Sequence, residues 1–268
     1  SRPNAVGPLG ALRRPALRGP LRLVGMSLGR APPAHARWDG MRAVGIVPAA
    51  GSGSRMGGSH PKQFLRVGRV PVVVLTLRML SRASELEGVI VAAPPGRVAT
   101  TDRLVKRWGV ARILGVVPGG RTRQESVWVA LQHVPAGTGL VVVHDAVRPF
   151  ITAALVRDVI REARRHGAAV CGVPVWETVK RVQGRVVVAT VEREGLWLVQ
   201  TPQAFHRALL SEAHEKARRD GVVGTDDAAL VERLGVPVHV VVGLPQNLKI
   251  TTREDLVRAR AVAARRRV

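Results

Sequence analysis

Six short segments rich in valine and isoleucine recur along the chain, at residues 43–47, 89–93, 113–117, 140–143, 168–173 and 236–242. Their apolar residues are largely consecutive rather than alternate, the pattern of strands buried on both faces. Segments with apolar residues at helical spacing lie between and after them, at 72–81, 99–108, 124–133, 153–166, 204–219, 226–234 and 253–263. Strands that alternate with helices predict an α/β fold with a mostly parallel sheet, because parallel neighbours need a crossover and the crossover helices cover the faces. With 46% apolar residues among 268, the chain has ample material for such a core, in one large domain or two small ones. No stretch reaches the ~18 consecutive apolar residues of a spanning helix, so no membrane partner is expected.

In such sheets ligands bind outside the carboxyl ends of the strands. The first strand leads there into Pro48-Ala49-Ala50-Gly51-Ser52-Gly53-Ser54-Arg55-Met56-Gly57, with Pro61-Lys62-Gln63-Phe64 close behind. A glycine-rich turn lets backbone N–H groups approach an anion without side chains in the way, and Arg55 and Lys62 add cations of two geometries. The pattern is not a P-loop, since no Lys-Ser/Thr pair follows the second glycine. Nor is it a dinucleotide fingerprint: Gly57 falls one residue late, and residues 70–75 hold no carboxylate. The segment therefore reads either as a triphosphate site or as a plain turn.

The formal charge is +23, but the basic residues run from Arg2 to Arg267 without gathering into a patch, and the five Trp and three Phe form no stacking set. A nucleic-acid-binding protein thus has charge alone in its favour, and no nucleic acid is expected as a partner. The 42 basic side chains include only five lysines, Lys62, Lys106, Lys180, Lys216 and Lys249. In a chain that takes arginine by default, a lysine marks a place where a compact ammonium is wanted. Cys171, the single cysteine, excludes an internal disulfide and reads as a small core residue. Residues 1–40 hold seven Arg, six Pro and one acid, Asp39, with no sustained apolar period. That composition predicts a disordered basic N-terminal extension, without the apolar stretch of a secretory signal or the serines of a transit peptide. Met41 stands directly before the first strand, which predicts that the working protein begins there and that 41–268 form the domain.

The loops after the other strands should converge on the glycine turn. One of them reads His144-Asp145-Ala146-Val147-Arg148-Pro149-Phe150. Asp145 there could take a hydroxyl or stand near a metal, and Arg148 suits a phosphate; a local Asp-Arg ion pair that shapes the turn is the alternative. Another reads Pro118-Gly119-Gly120-Arg121-Thr122-Arg123-Gln124-Glu125-Ser126. Its glycines could let backbone groups read the edge of a base beside Ser126, although an ordinary capped helix start looks similar. Asn247-Leu248-Lys249-Ile250-Thr251 brings a lysine after the last strand. One segment breaks the alternation: residues 176–191 carry Val179, Val182, Val186, Val187 and Val188 around a Gln183-Gly184 turn, which predicts a two-stranded hairpin arm. An arm with no helix over it needs cover, either the same arm of a second subunit or its own domain.

Together these motifs, with Glu177-Thr178-Val179-Lys180-Arg181, Gly195-Leu196-Trp197, Gln200-Thr201-Pro202-Gln203 and Thr225-Asp226-Asp227, resemble the 2-C-methyl-D-erythritol 4-phosphate cytidylyltransferase family from Ala43 to about Arg260. The resemblance implies a Rossmann-like nucleotidyltransferase sheet with helices on both faces and a β-hairpin dimerisation arm at about 174–193. It implies a cytoplasmic homodimeric enzyme that uses CTP, 2-C-methyl-D-erythritol 4-phosphate and Mg²⁺. Matched position by position, Ala49, Ala50, Gly51, Gly53, Gly120 and Ser126 fall where the family binds CTP. Arg55, Lys62, Arg193 and Lys249 fall at catalytic positions, and Asp145, Arg148, Thr178, Thr201 and Thr225 around the acceptor, with Thr178 and Arg193 offered by the arm to the neighbouring subunit. Glu177 stands where the family usually has Asp, and Gly243-Leu244-Pro245-Gln246 is less typical. A relative that activates ribitol 5-phosphate with the same motifs is the nearest alternative; the Ala49-Ala50 pair favours methylerythritol phosphate.

Overall fold

The computed structural model describes residues 41–51 and 61–265. The expected disordered extension, residues 1–40, lies outside the described residues. In chain order the elements are β1 (Ala43–Pro48), β2 (Arg66–Val67), β3 (Val70–Pro71), α1 (Val72–Leu80), β4 (Leu86–Ala93), α2 (Val98–Arg107), β5 (Ile113–Pro118), α3 (Arg123–Leu131), β6 (Leu140–Val143), α4 (Ala153–His166) and β7 (Ala168–Pro174). Then come β8 (Val179–Gln183), β9 (Val186–Val191), β10 (Trp197–His206), α5 (Arg207–Arg219), α6 (Asp227–Glu232), β11 (His239–Val242) and α7 (Arg253–Arg265). Seven strands form one sheet in the order β11-β7-β10-β6-β1-β4-β5. All neighbours are parallel except those of β10, which runs antiparallel between β6 and β7.

The period-two alternation of a strand explains why both faces are dry. On β1, Ala43 and Val47 join Val89, Val91, Leu140 and Val142 under the apolar stripes of α1 and α4. Val44 and Ile46 point the other way, with Ile90, Val141 and Val143, into the cluster capped by α3, α5 and α6. Each fully buried Val or Leu contributes roughly 1.5–3 kcal/mol, so the expected helices on both faces are what these strands require. In α4 the stripe is Leu155, Val156, Val159, Ile160 and Ala163. Thr152 caps its start by accepting the Leu155 N–H, and Gly167 ends it at φ +88°, a left-handed cap that a Cβ would disfavour. Cys171 lies buried in the core, and burial pushes its thiol up to about 12, so it acts as an apolar filler.

Two expectations need correction. The helix expected over 204–219 begins at Arg207, and Ala204, Phe205 and His206 instead end β10, a strand the sequence did not announce. Pro202 lies within that strand, and proline argues against a central strand because it cannot donate to the ladder; here the register with β7 shifts between Gln200 and Gln203 and accommodates it. The last strand is also shorter than expected, His239–Val242. The predicted hairpin is present as β8 and β9, a two-stranded sheet separate from the main one, with Gly184 at φ +61° in its turn. Among the described residues, no helix is long and apolar enough to cross a membrane.

Candidate active site

Two adjoining clefts open at the carboxyl ends of the parallel strands. The first is lined by Ala49, Ala50 and Gly51 after β1, by Lys62, by Gly120 and Ser126 around the start of α3, and by Asp145 and Lys249. The second is lined by Asp145, Arg148, Thr201, Thr225 and Lys249, with Gln200, Gln203 and Asp226. Every expected site residue among those described therefore falls on one cleft or the other, apart from Thr178 and Arg193. Those two sit exposed on the arm, where the Arg193 Nη1 donates to the Trp176 carbonyl. Gly53 and Arg55 lie outside the described residues.

Asp145, Lys249 and Arg123 are common to both clefts. The buried Asp145 carboxylate accepts from Lys249 Nζ at 2.7 Å and from Arg123 Nε at 2.9 Å, and Arg148 Nε lies 3.9 Å away. The expected local pair with Arg148 is thus the weakest of the three contacts. Burial alone would raise the Asp145 carboxyl; Arg123 and Lys249 outweigh it and hold the group well below the usual carboxylate range. Arg123 also donates from Nη1 to Asp227 Oδ2 at 2.7 Å, and Asp227 accepts from His214 Nε2 at 3.1 Å. Burial opposes the Arg123 charge, but the two carboxylates exceed it and raise its pKa. Three cations around two carboxylates, with Lys62 nearby, leave the junction of the clefts net positive.

The loop after β6 is built so that the Asp145 backbone cannot drift. Its N–H donates to Thr201 Oγ1 at 3.0 Å, and Thr201 Oγ1 lies 3.0 Å from His144 Nδ1. His144 Nε2 faces the Arg148 carbonyl at 3.1 Å, an acceptor only, so the ring carries its proton on Nε2 and Nδ1 accepts from the threonine hydroxyl. Burial lowers the His144 pKa to about 4, keeping the ring neutral. Arg148 Nη1 donates to the Asn247 carbonyl at 2.7 Å, and Asn247 Nδ2 donates to the Thr201 carbonyl at 2.8 Å, which ties the Lys249 loop to β10.

The first cleft has its own supports. The buried Gln63 donates from Nε2 to the Ala49 carbonyl and, at 3.1 Å, to the Gly51 carbonyl, holding the start of the glycine turn against Lys62. Thr122 caps α3 by accepting the Glu125 N–H at 3.0 Å, while Glu125 accepts the Arg121 N–H at 2.7 Å. Ser126 Oγ accepts the Gly120 N–H at 3.1 Å and donates to the Thr122 carbonyl at 2.8 Å. Its hydroxyl shapes the turn as well as lining the cleft. Gly119 is required by close approach: a Cβ there would lie 2.4 Å from the Ala50 Cβ and 2.9 Å from Ser126 Oγ.

Arg123, Gln63 and Asp227 support the clefts without standing among the expected site residues, although all three lie within the motifs Pro61-Lys62-Gln63-Phe64, Arg123-Gln124-Glu125-Ser126 and Thr225-Asp226-Asp227. Among known proteins, the family model described as IspD: 2-C-methyl-D-erythritol 4-phosphate cytidylyltransferase matches residues 43–265. The chain is 46% identical over 223 residues to the 2-C-methyl-D-erythritol 4-phosphate cytidylyltransferase of Syntrophus aciditrophicus, covering 82% of this chain and 95% of that one. It is 45% identical over 225 residues to the protein of that name from Desulforamulus reducens, covering 83% and 96%. The crystal structure of the corresponding protein of Thermus thermophilus superposes with a TM-score of 0.69 at 40% identity, covering 84% of this chain and all of that one.

Proposed function

The chain belongs to the 2-C-methyl-D-erythritol 4-phosphate cytidylyltransferase family, and on that premise we propose that its two clefts are the halves of one reaction site, CTP in the first and methylerythritol phosphate in the second. The protein is a nucleotidyltransferase of isoprenoid precursor synthesis: it transfers CMP from CTP to 2-C-methyl-D-erythritol 4-phosphate and releases pyrophosphate. The observation that carries the two-cleft reading is the Arg123–Asp145–Lys249 cluster shared by both walls.

The attacking group is a phosphate monoester, largely dianionic at neutral pH because its second pKa is about 6. It needs no general base. What the reaction needs is in-line placement of two anions and positive charge where negative charge builds up. We assign Arg55 and Lys62 to the α-phosphate, and the backbone of Ala49, Ala50, Gly51 and Gly53 to the triphosphate. Gly120 and Ser126 take the cytosine side, and Arg148, Thr201, Thr225 and Lys249 the acceptor. Asp145 holds Lys249 and Arg123 in place and faces the acceptor hydroxyls. Arg193 and Thr178 belong to the arm of a second subunit in a homodimer, a role supported by their absence from the lining of both clefts of their own chain and by the exposed valines of the arm.

Mg²⁺ enters this scheme as a counterion of CTP. Asp145 and Asp226 are the carboxylates lining the clefts among the described residues. Asp145 is bound to Lys249 and Arg123, while Asp226 accepts from Gln203 Nε2 at 2.7 Å and caps α6 through Ala229 N–H. These residues do not form a protein cage for a hard dication, and no step is assigned to one; phosphate oxygens and water can supply its ligands. Pyrophosphate release from CTP, measured with methylerythritol phosphate and with ribitol 5-phosphate, tests the assignment. Faster turnover of methylerythritol phosphate is expected. Faster turnover of ribitol phosphate would overturn the acceptor, and no release with either would overturn the reaction.

A further inference from the structure

At the end of the molecule away from both clefts, the last turn of α4 meets the first residue of β11, an edge strand of the sheet. Glu162 and His166 stand four residues apart on α4, so they share one helix face, and His239 opens β11 beside them. We propose that Glu162, His166 and His239 form a site for a divalent transition-metal ion of the zinc type. Their donor atoms all lie within 4.8 Å of one another. Glu162 Oε1 is 3.3 Å from His166 Nε2 and 3.4 Å from His239 Nδ1. Both separations are longer than an ordinary N–H···O bond of about 2.7–3.2 Å. They are of the size of the edge of a tetrahedron whose centre lies ~2.0–2.1 Å from each ligand, roughly 3.3–3.4 Å, so a turn of the rings brings the three donors to zinc distances.

Two imidazoles and one carboxylate select zinc, nickel or copper over magnesium and calcium, which take oxygen cages. The carboxyl end of α4 also carries the negative pole of the helix, which favours a cation at His166. The two imidazole rings stack 3.6 Å apart at 9°. Side by side, their lone pairs do not converge, so capture of one ion turns each ring about its Cβ–Cγ bond. Both side chains are more than a third exposed, at 39% and 38%, which gives them room to turn and leaves a fourth position open to water. A bound ion would tie the edge strand that leads to the Lys249 loop onto α4.

The test uses the full chain without a histidine tag and without nucleotide. Zn²⁺ uptake is measured by titration calorimetry, and Co²⁺ is used as a visible probe of tetrahedral ligation, for the wild type, His166→Ala, His239→Ala and Glu162→Gln. The wild type should take up one more Zn²⁺ than either histidine variant, show a Co²⁺ visible band that both lose, and melt higher with Zn²⁺ than in chelator. The conservative Glu162→Gln should bind at least tenfold more weakly, and all four chains should melt alike in chelator, which separates lost ligation from lost fold. Equal Zn²⁺ uptake by the wild type and both histidine variants, or a Co²⁺ band that survives them, would overturn the site.

Discussion

Arg123 joins two stretches of chain that sequence keeps far apart, since Asp145 is 22 residues away from it and Asp227 is 104. Its planar fork bridges both buried carboxylates at once, which a lysine cannot do. Arg123→Gln should therefore destabilise the fold by about 3 kcal/mol, because it removes the guanidinium from two buried carboxylates and leaves Asp145 with Lys249 and Asp227 with His214 as their remaining close partners. Urea denaturation measures it, with Arg123→Lys recovering only part, and a loss below about 1 kcal/mol would mean the carboxylates find water or other partners. His144 makes a pH-dependent contribution whose sign follows from burial. Its folded pKa, about 4, lies below the ~6.5 of an unfolded histidine, so the unfolded chain binds the extra proton between these values. The stabilisation is present above pH ~6.5 and is lost as pH falls toward 4, by roughly 3 kcal/mol in all. His144→Gln should flatten that part of the profile, read from urea midpoints at several pH values; a profile parallel to the wild type would refute the assignment. Asp145 titrates in the same sense but lower, because its folded pKa lies beneath the usual carboxylate range.

At the scale of elements, the site is a set of strand ends, and that much was legible. Valine-rich strands, residues 49–51 at the start of the glycine turn after β1, the Gly119-Gly120 turn and the Asp145 and Lys249 loops all stand where the alternation of strands and helices puts them. Side-chain pairings were not legible, because an arginine in the first turn of α3 is one among many in this chain and carries no local pattern. β10 was missed for a related reason: apolar spacing over 204–219 reads as a helix from Ala204, while the gap between β6 and β7 imposed a strand. The Gly119-Gly120 turn also has a packing role that sequence could not separate from ligand approach. Gly119→Ala would drive a methyl to 2.4 Å from the Ala50 Cβ, between two loops with no flexible side-chain end to yield. Overpacking of this kind costs about 1–3 kcal/mol, or roughly 5- to 150-fold, which should appear mainly as a raised KM for CTP. Gly115→Ala, where no neighbour lies within 4 Å of the added Cβ, is the matched control and should leave KM unchanged. An unaltered KM in the Gly119 variant would show that the loops separate freely.

For the whole molecule the question is whether one chain holds a complete site. Thr178 and Arg193 lie on an arm that is not part of the main sheet, and an isolated two-stranded hairpin is marginal in water. The arm and the strand that follows it expose Trp176, Val182, Val186, Val187, Val188, Leu198 and Val199, an apolar surface that an unpartnered chain does not cover. A symmetric dimer in which each arm reaches the other subunit would bury it and deliver Arg193 to the partner's clefts. On the role proposed for it, Lys62→Ala should lower turnover by about 10²–10³, the cost of removing a charge that stabilises the transition state; Arg193→Ala should also lose most activity. Co-expressed, the two defects separate: in a mixed dimer, one site carries both substitutions and the other carries neither. Random pairing makes half the dimers mixed, so about a quarter of wild-type activity should return. An arm that served its own chain would leave one defect in every site, and the co-expressed pair would stay as inactive as either parent. Isolating the mixed dimers by two different tags should raise the recovered activity to about half of wild type, because every dimer then carries one intact site and one doubly substituted site.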